Sequence, residues 1–153
     1  MEPPSERFIH SEIYRARPEV NSVVHFHPPI ATSFSIAGRE ILPVSLMGRI
    51  FAPFVPIFWY PGLIDSKEKG EALAKAFVRG RAILLRGHGA VTAGESLAEA
   101  GVAAVTLEET AKMQLIAALL GRVEPIYTEE FEVGEGLRRV RFEDIWHAFK
   151  AKF

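Results

Sequence analysis

The sequence contains no cysteine. Disulfides, thiolate metal ligands and thiol nucleophiles are thereby excluded together, leaving imidazole and carboxylate as the side chains able to hold a metal. A chain without cysteine is compatible with the cytoplasm, and that is the compartment expected. An excess of charge of one sign is missing too. With 18 basic and 19 acidic residues the net charge is −1, so no broad attraction to nucleic acid or to an anionic membrane is expected. The longest apolar stretch, residues 50–60, is interrupted by Pro53 and Pro56 and falls short of the roughly 20 residues a spanning helix needs. The opening MEPPSER has no apolar run behind basic residues and does not read as a signal peptide. Repeats and low-complexity segments are absent.

What is present suits one soluble domain: 153 residues, 48% hydrophobic and 24% charged. Ser5 is placed to cap a helix over 6–16 whose buried stripe is Phe8, Ile9, Ile13 and Tyr14, with Pro18 beyond its end. Residues 22–27 (SVVHFH) read as a strand bounded by Asn21 and Pro28. Pro29 can open a short helix over 30–37, ended by Gly38. Strands are expected at 41–46 and 55–58. A capped helix over 66–78 turns Leu73, Ala74, Phe77 and Val78 inward. RAILLR at 81–86 has the continuous apolar character of a strand buried on both faces. After Gly87-His88-Gly89 the chain can return as an adjacent strand over 90–93. Ser96 and Glu99 have capping-box spacing ahead of a long alanine-rich helix to Leu120, closed by Gly121. Residues 142–149 form a last amphipathic helix. Helices alternating with short apolar strands give an α/β layered domain, and strands that follow one another without a helix add antiparallel content.

Five histidines occur, and three fall in two organised places. His25 and His27 stand two apart on a strand, so both side chains leave the same face. Two such imidazoles can bring nitrogens about 2.0–2.1 Å from one zinc; the alternative is a pair of partly exposed histidines at a strand end. His88 follows the buried strand, where ligands gather in α/β folds, and its flanking glycines permit tight backbone turns; otherwise it is a loop histidine. Glu6 stands in the first turn of a helix, where the dipole alone stabilises a carboxylate. His10, one helical turn on, either lines the same pocket or is a satisfied core residue. His147, beside Trp146, reads as structural. Arg15, Arg49 and Arg86 can meet an anionic substrate or serve as ordinary surface charges.

Read together, PPSERFIHSEIYRARPEVNSVVHFHPP and LLRGHGAVTAG resemble the class II aldolase/adducin family, from about Pro4 to the helix ending near Leu120. The resemblance implies a three-layer α/β/α sandwich on a mixed, mainly antiparallel sheet. It implies a single domain over 1–153 that lacks the family's usual N-terminal portion. It also implies that His25, His27 and His88 bind zinc and that Glu6 is the catalytic acid/base. The implied chemistry is cleavage of a C–C bond next to a carbonyl, through a metal-stabilised enolate or enediolate of a sugar phosphate or small hydroxy-carbonyl compound. The implied assembly is a four-fold symmetric homotetramer with sites between subunits, to which Tyr127 of a neighbour can come near. The sequence departs from sugar-phosphate aldolases of the family. Their serine pair reads Pro4-Ser5 here, leaving Ser5 to contact substrate beside His10, and Ser45, Leu46 and Met47 stand where the fuculose-phosphate type has a tyrosine. The segment ERFIHSEIYRARPEV is more similar to members that decarboxylate hydroxy-carboxy-muconic semialdehydes or related aromatic catabolites. A third alternative is an adducin-like assembly domain without catalysis, whose members tend to lack the metal histidines.

Overall fold

The computed structural model describes residues 3–126 and 141–151. Its organising element is the strand β3 (Ala82–Leu85), every residue of which is buried. Successive side chains of a strand leave opposite faces, and here each face meets its own core. Ile83 and Leu85 pack in one apolar cluster, Ala82 and Leu84 in another. Beside β3 runs β4 (Gly89–Gly94), also buried throughout, then β1 (Ser22–Phe26) beyond it. The short strand β2 (Ile57–Phe58) flanks β3 on the other side. The order is β1-β4-β3-β2, with β4 antiparallel to both its neighbours and β2 parallel to β3. The mixed, mainly antiparallel sheet is the one expected.

Helices cover both faces. On one side lie α1 (Arg7–Ala16) and α3 (Lys67–Ala76), with Ile9, Ile13, Leu73 and Phe77 meeting Ile83, Leu85 and Val91. On the other lie α2 (Pro29–Ile36) and α4 (Leu97–Leu120), with Ala31, Ala103, Leu107 and Ala111 against Leu84 and Ala90. This is the three-layer α/β/α arrangement. The final helix, α5 (Phe142–Lys150), packs on α4, where a Cβ at Gly101 would fall 2.6 Å from the Trp146 ring. The long α4 starts as its sequence indicates: Ser96 Oγ accepts the Glu99 N–H at 3.2 Å and the Glu99 carboxylate accepts the Glu95 N–H at 2.6 Å. Among the described residues no helix is long and apolar enough to cross a membrane.

Several local expectations are corrected. Ser5 does not cap α1; Glu6 holds the N-cap position, no side chain accepts there, and the Arg7 N–H donates to the Pro4 carbonyl at 3.2 Å. Tyr14 is exposed, and its hydroxyl accepts the Val23 N–H at 3.1 Å. The strand expected at 41–46 is a single bridge between Ile41 and Val55. Its backbone is claimed instead by Gln114 of α4, which accepts from the Leu42 N–H at 2.7 Å and donates to the Glu40 carbonyl at 3.0 Å. Val78 is exposed because α3 ends at Ala76 and Phe77 alone turns inward.

The α1–α3 seam places Glu6 above the sheet. Gly70 makes that seam close: a Cβ there would lie 2.6 Å from the Phe8 carbonyl oxygen and 2.8 Å from Glu12 Cγ. Backbone cannot step aside as a flexible side chain can. Gly70→Ala is expected to destabilise the fold by about 1–3 kcal/mol, the usual range for overpacking, measured by denaturant unfolding.

Candidate metal centre

The register of the sheet explains how two distant stretches meet. Phe26, the last residue of β1, pairs with Ala90, so one step further along the antiparallel ladder His27 faces Gly89. A Cβ at Gly89 would press on the Phe26 carbonyl and lie 2.8 Å from His27 Cδ2. Glycine is required there for space. Gly87 is required for conformation: its φ of +64° lies where other residues are strained, and it closes the turn in which the His88 N–H donates to the Leu85 carbonyl at 3.0 Å. Ser35 Oγ, buried in α2, accepts the Gly87 N–H at 3.0 Å. His88 is thereby set one residue from the position facing His27.

The three rings come together. Their centroids are 4.9 Å (His25–His27), 5.0 Å (His25–His88) and 5.1 Å (His27–His88) apart. One nitrogen from each lies within 4.8 Å of the others, a grouping able to hold a metal ion. The tautomer of His25 is fixed by its neighbour: Nδ1 lies 3.0 Å from the Ala90 carbonyl oxygen. That oxygen can only accept, so Nδ1 carries a proton, and in the neutral imidazole Nε2 is the nitrogen that holds the lone pair. Nε2 is buried and has no hydrogen-bond partner. Leaving a buried acceptor unmatched costs about 1–3 kcal/mol, and a cation at the centre of the triad would remove that cost. The donor set of three imidazoles suits zinc and several other divalent metals.

Glu6 closes the group. Its Oε1 accepts the Ile64 N–H at 3.1 Å. Its Oε2 stands 3.4 Å from His25 Nε2 and 3.5 Å from His88 Nε2. Burial pushes the His88 imidazole below its ordinary value of 6.5; Glu6 opposes this, and His25 and His27 add to it. His10 is also lowered, by burial first and then by His25. Ser5 is exposed in the turn before α1. Of the remaining residues considered, Arg15 pairs with Glu12 at 2.7 Å, Arg86 stacks over Trp59 at 5.5 Å, Arg49 lies in the 3-10 turn Gly48–Phe51, and His147 is exposed on α5. Tyr127 lies outside the described residues. Three groups that orient the site escape sequence reading. The Ala90 carbonyl and the Ile64 N–H are main-chain atoms with no residue signature. Ser35 offers one faint sign, a serine inside a helix, where it is unfavourable unless bonded.

Residues 1–115 match the model of the class II aldolase and adducin N-terminal domain. The chain belongs to the class II aldolase/adducin family. It is 38% identical over 122 residues to a 4-hydroxy-3-prenylphenylpyruvate oxygenase/4-hydroxy-3-prenylbenzoate synthase of Streptomyces roseochromogenus subsp. oscitans, covering 79% of this chain and 44% of that protein. A 3,4-dihydroxyphthalate decarboxylase of Terrabacter sp. is 34% identical over 126 residues, covering 78% and 52%. Among solved structures, the L-fuculose-1-phosphate aldolase of Thermus thermophilus superposes with a TM-score of 0.66 at 30% identity, covering 82% of this chain and 70% of that one. The chain spans about half the length of these curated relatives.

The lowered His88 imidazole has a consequence for stability. An imidazole that resists protonation in the fold and accepts it when unfolded favours unfolding in acid. The metal-free chain is therefore expected to hold full stability above the ordinary value of 6.5 and to lose it as the pH falls below that value. Melting temperature against pH should show this decline, and His88→Gln should flatten it.

Proposed function

We propose that this chain carries the metal site of a metal-dependent carbon–carbon lyase, with His25, His27 and His88 as ligands and Glu6 as the catalytic acid/base. The supporting observation is the free, buried Nε2 of His25 at the centre of three converging rings, with the Glu6 carboxylate facing them. Zinc is the metal proposed; His25, His27 and His88 would hold it, and it would supply a Lewis acid for a substrate oxygen. The rest falls to this chain's own residues. The Ala90 carbonyl holds the His25 ring in the tautomer that presents Nε2. The Ile64 N–H holds Glu6 Oε1, which directs Oε2 toward the triad. In an aldol cleavage Oε2 takes the proton of the substrate hydroxyl as the adjacent C–C bond breaks, and its electron pair moves toward the carbonyl. In a decarboxylation Oε2 takes the proton of a substrate hydroxyl, the bond to the carboxylate breaks with release of carbon dioxide, and Oε2 returns that proton to the carbon left with the electron pair. His10 and Ser5 are the proposed substrate contacts.

Between these two reactions, the likeness to a dihydroxyphthalate decarboxylase favours loss of carbon dioxide from an aromatic or oxo acid as the second reading. A carboxylate substrate needs no phosphate cradle, which agrees with the single Ser5 before Glu6. We also propose that the chain works in the cytoplasm as a homo-oligomer, a tetramer by analogy with the family, and that residues 1–153 act as one domain on a small-molecule substrate.

Metal analysis of the purified protein is expected to find one zinc or similar ion per chain, lost in His25→Ala and His88→Ala. Glu6→Gln should keep the metal and lower turnover by roughly 10²–10⁴, the usual contribution of a positioned acid or base. Parallel assays of retro-aldol products and of carbon dioxide release decide between the reactions. Turnover at the wild-type rate in Glu6→Gln or His88→Ala removes the assignment, and a purely monomeric elution profile removes the oligomer.

A further inference from the structure

The helix α2 touches both stretches that carry the histidines. Its N-cap, Pro28, follows His27 directly, and its Ser35 holds the Gly87 N–H at 3.0 Å in the turn that carries His88. Ser35 is completely buried, and its hydroxyl donates to the Thr32 carbonyl at 2.6 Å within the same helix. Any shift of α2 thus moves the exit of the chain from His27 and the turn of His88 together.

The start of α2 has no local support. Pro28 and Pro29 carry no N–H, and Pro28 has no side chain able to accept from the first turn. Ile30 and Ala31 therefore present the first free amides of the helix. Both donate to one carboxylate from the distant helix α4: Ile30 N–H to Glu108 Oε1 at 3.0 Å and Ala31 N–H to Glu108 Oε2 at 2.8 Å. The negative group also lies at the positive end of the helix dipole. Glu108 itself is held firmly, because Leu107 and Ala111 beside it on α4 are fully buried under the sheet.

We propose that Glu108 is a positioning residue for the metal centre. By pinning the N-terminus of α2 to α4 it fixes the departure of the chain from His27 and, through Ser35, the placement of the His88 turn. The spacing between the H-x-H pair and the third imidazole is set from α4. The inference rests on the reading of the triad as a metal site, and the test separates the two.

Gln114 supplies the control. It lies on the same helix and also makes two bonds to main chain, at Leu42 and Glu40, a stretch that carries no ligand. Zinc affinity is measured on the purified chain by competition with a chromogenic chelator, with melting temperature recorded alongside. Glu108→Ala is expected to weaken zinc binding about tenfold or more, the lower end of the loss seen when a group supporting a ligand is removed, while Gln114→Ala lowers the melting temperature and leaves affinity within about twofold. Glu108→Gln keeps one acceptor oxygen and should fall between the wild type and Glu108→Ala; it replaces that variant if the latter does not fold, with a loss of at least about threefold expected. Wild-type affinity in the Glu108 variants overturns the inference and leaves the metal site standing, as does an equal loss in the Gln114 variant. A wild-type chain that takes up no zinc removes the metal site and this inference with it.

Discussion

Antiparallel pairing of β1 with β4 brings the end of one strand against the beginning of the other, and a missing side chain at Gly89 lets them keep that register beside a histidine. The convergence of the three rings follows from this contact. A register slip of one residue would carry His25 to the opposite face of the sheet, and a Cβ at position 89 would push Phe26 and His27 away from the turn of His88. The hairpin between β3 and β4 contributes the third ring for the same reason it exists at all, since the chain must reverse at Gly87 to lay β4 back against β3.

Around that contact, the polar groups that orient the side chains are mostly main-chain atoms. The Ala90 carbonyl selects the tautomer of His25, and the Ile64 N–H anchors one oxygen of Glu6. Main-chain dipoles fixed in a sheet or a tight loop have little freedom to reorganise, so they hold geometry well in a partly buried setting. The electrostatic balance is also local. Burial first, and then the neighbouring His25 and His27, disfavour protonation of the His88 imidazole, and the Glu6 carboxylate partly offsets them.

Much of this was legible in the residues. The continuous apolar run Ala82–Leu85 announced a strand covered on both faces, and the spacing of His25 and His27 with the glycines around His88 marked the cluster. Glu6 was visible as a carboxylate at a helix start, but its partners were not, because the Ile64 N–H comes from a loop 58 residues away. Residues 41–46 looked like a strand, since apolar pattern cannot reveal that a glutamine on α4 occupies the backbone positions a neighbouring strand would use. Val78 was misplaced for a simpler reason. Periodicity was carried two residues past the point where α3 stops.

The three clustered histidines and the carboxylate belong to different layers of the molecule. All three histidines are carried by the sheet and its turns, whereas Glu6 rides at the head of α1, whose seat is the seam with α3. The reach of the carboxylate and the geometry of the nitrogens are consequently adjustable apart from one another. Substitutions along that seam, on elements that carry none of the three clustered rings, can shift the carboxylate while leaving those rings as they were, a route by which one scaffold can drift between related reactions without rebuilding its centre.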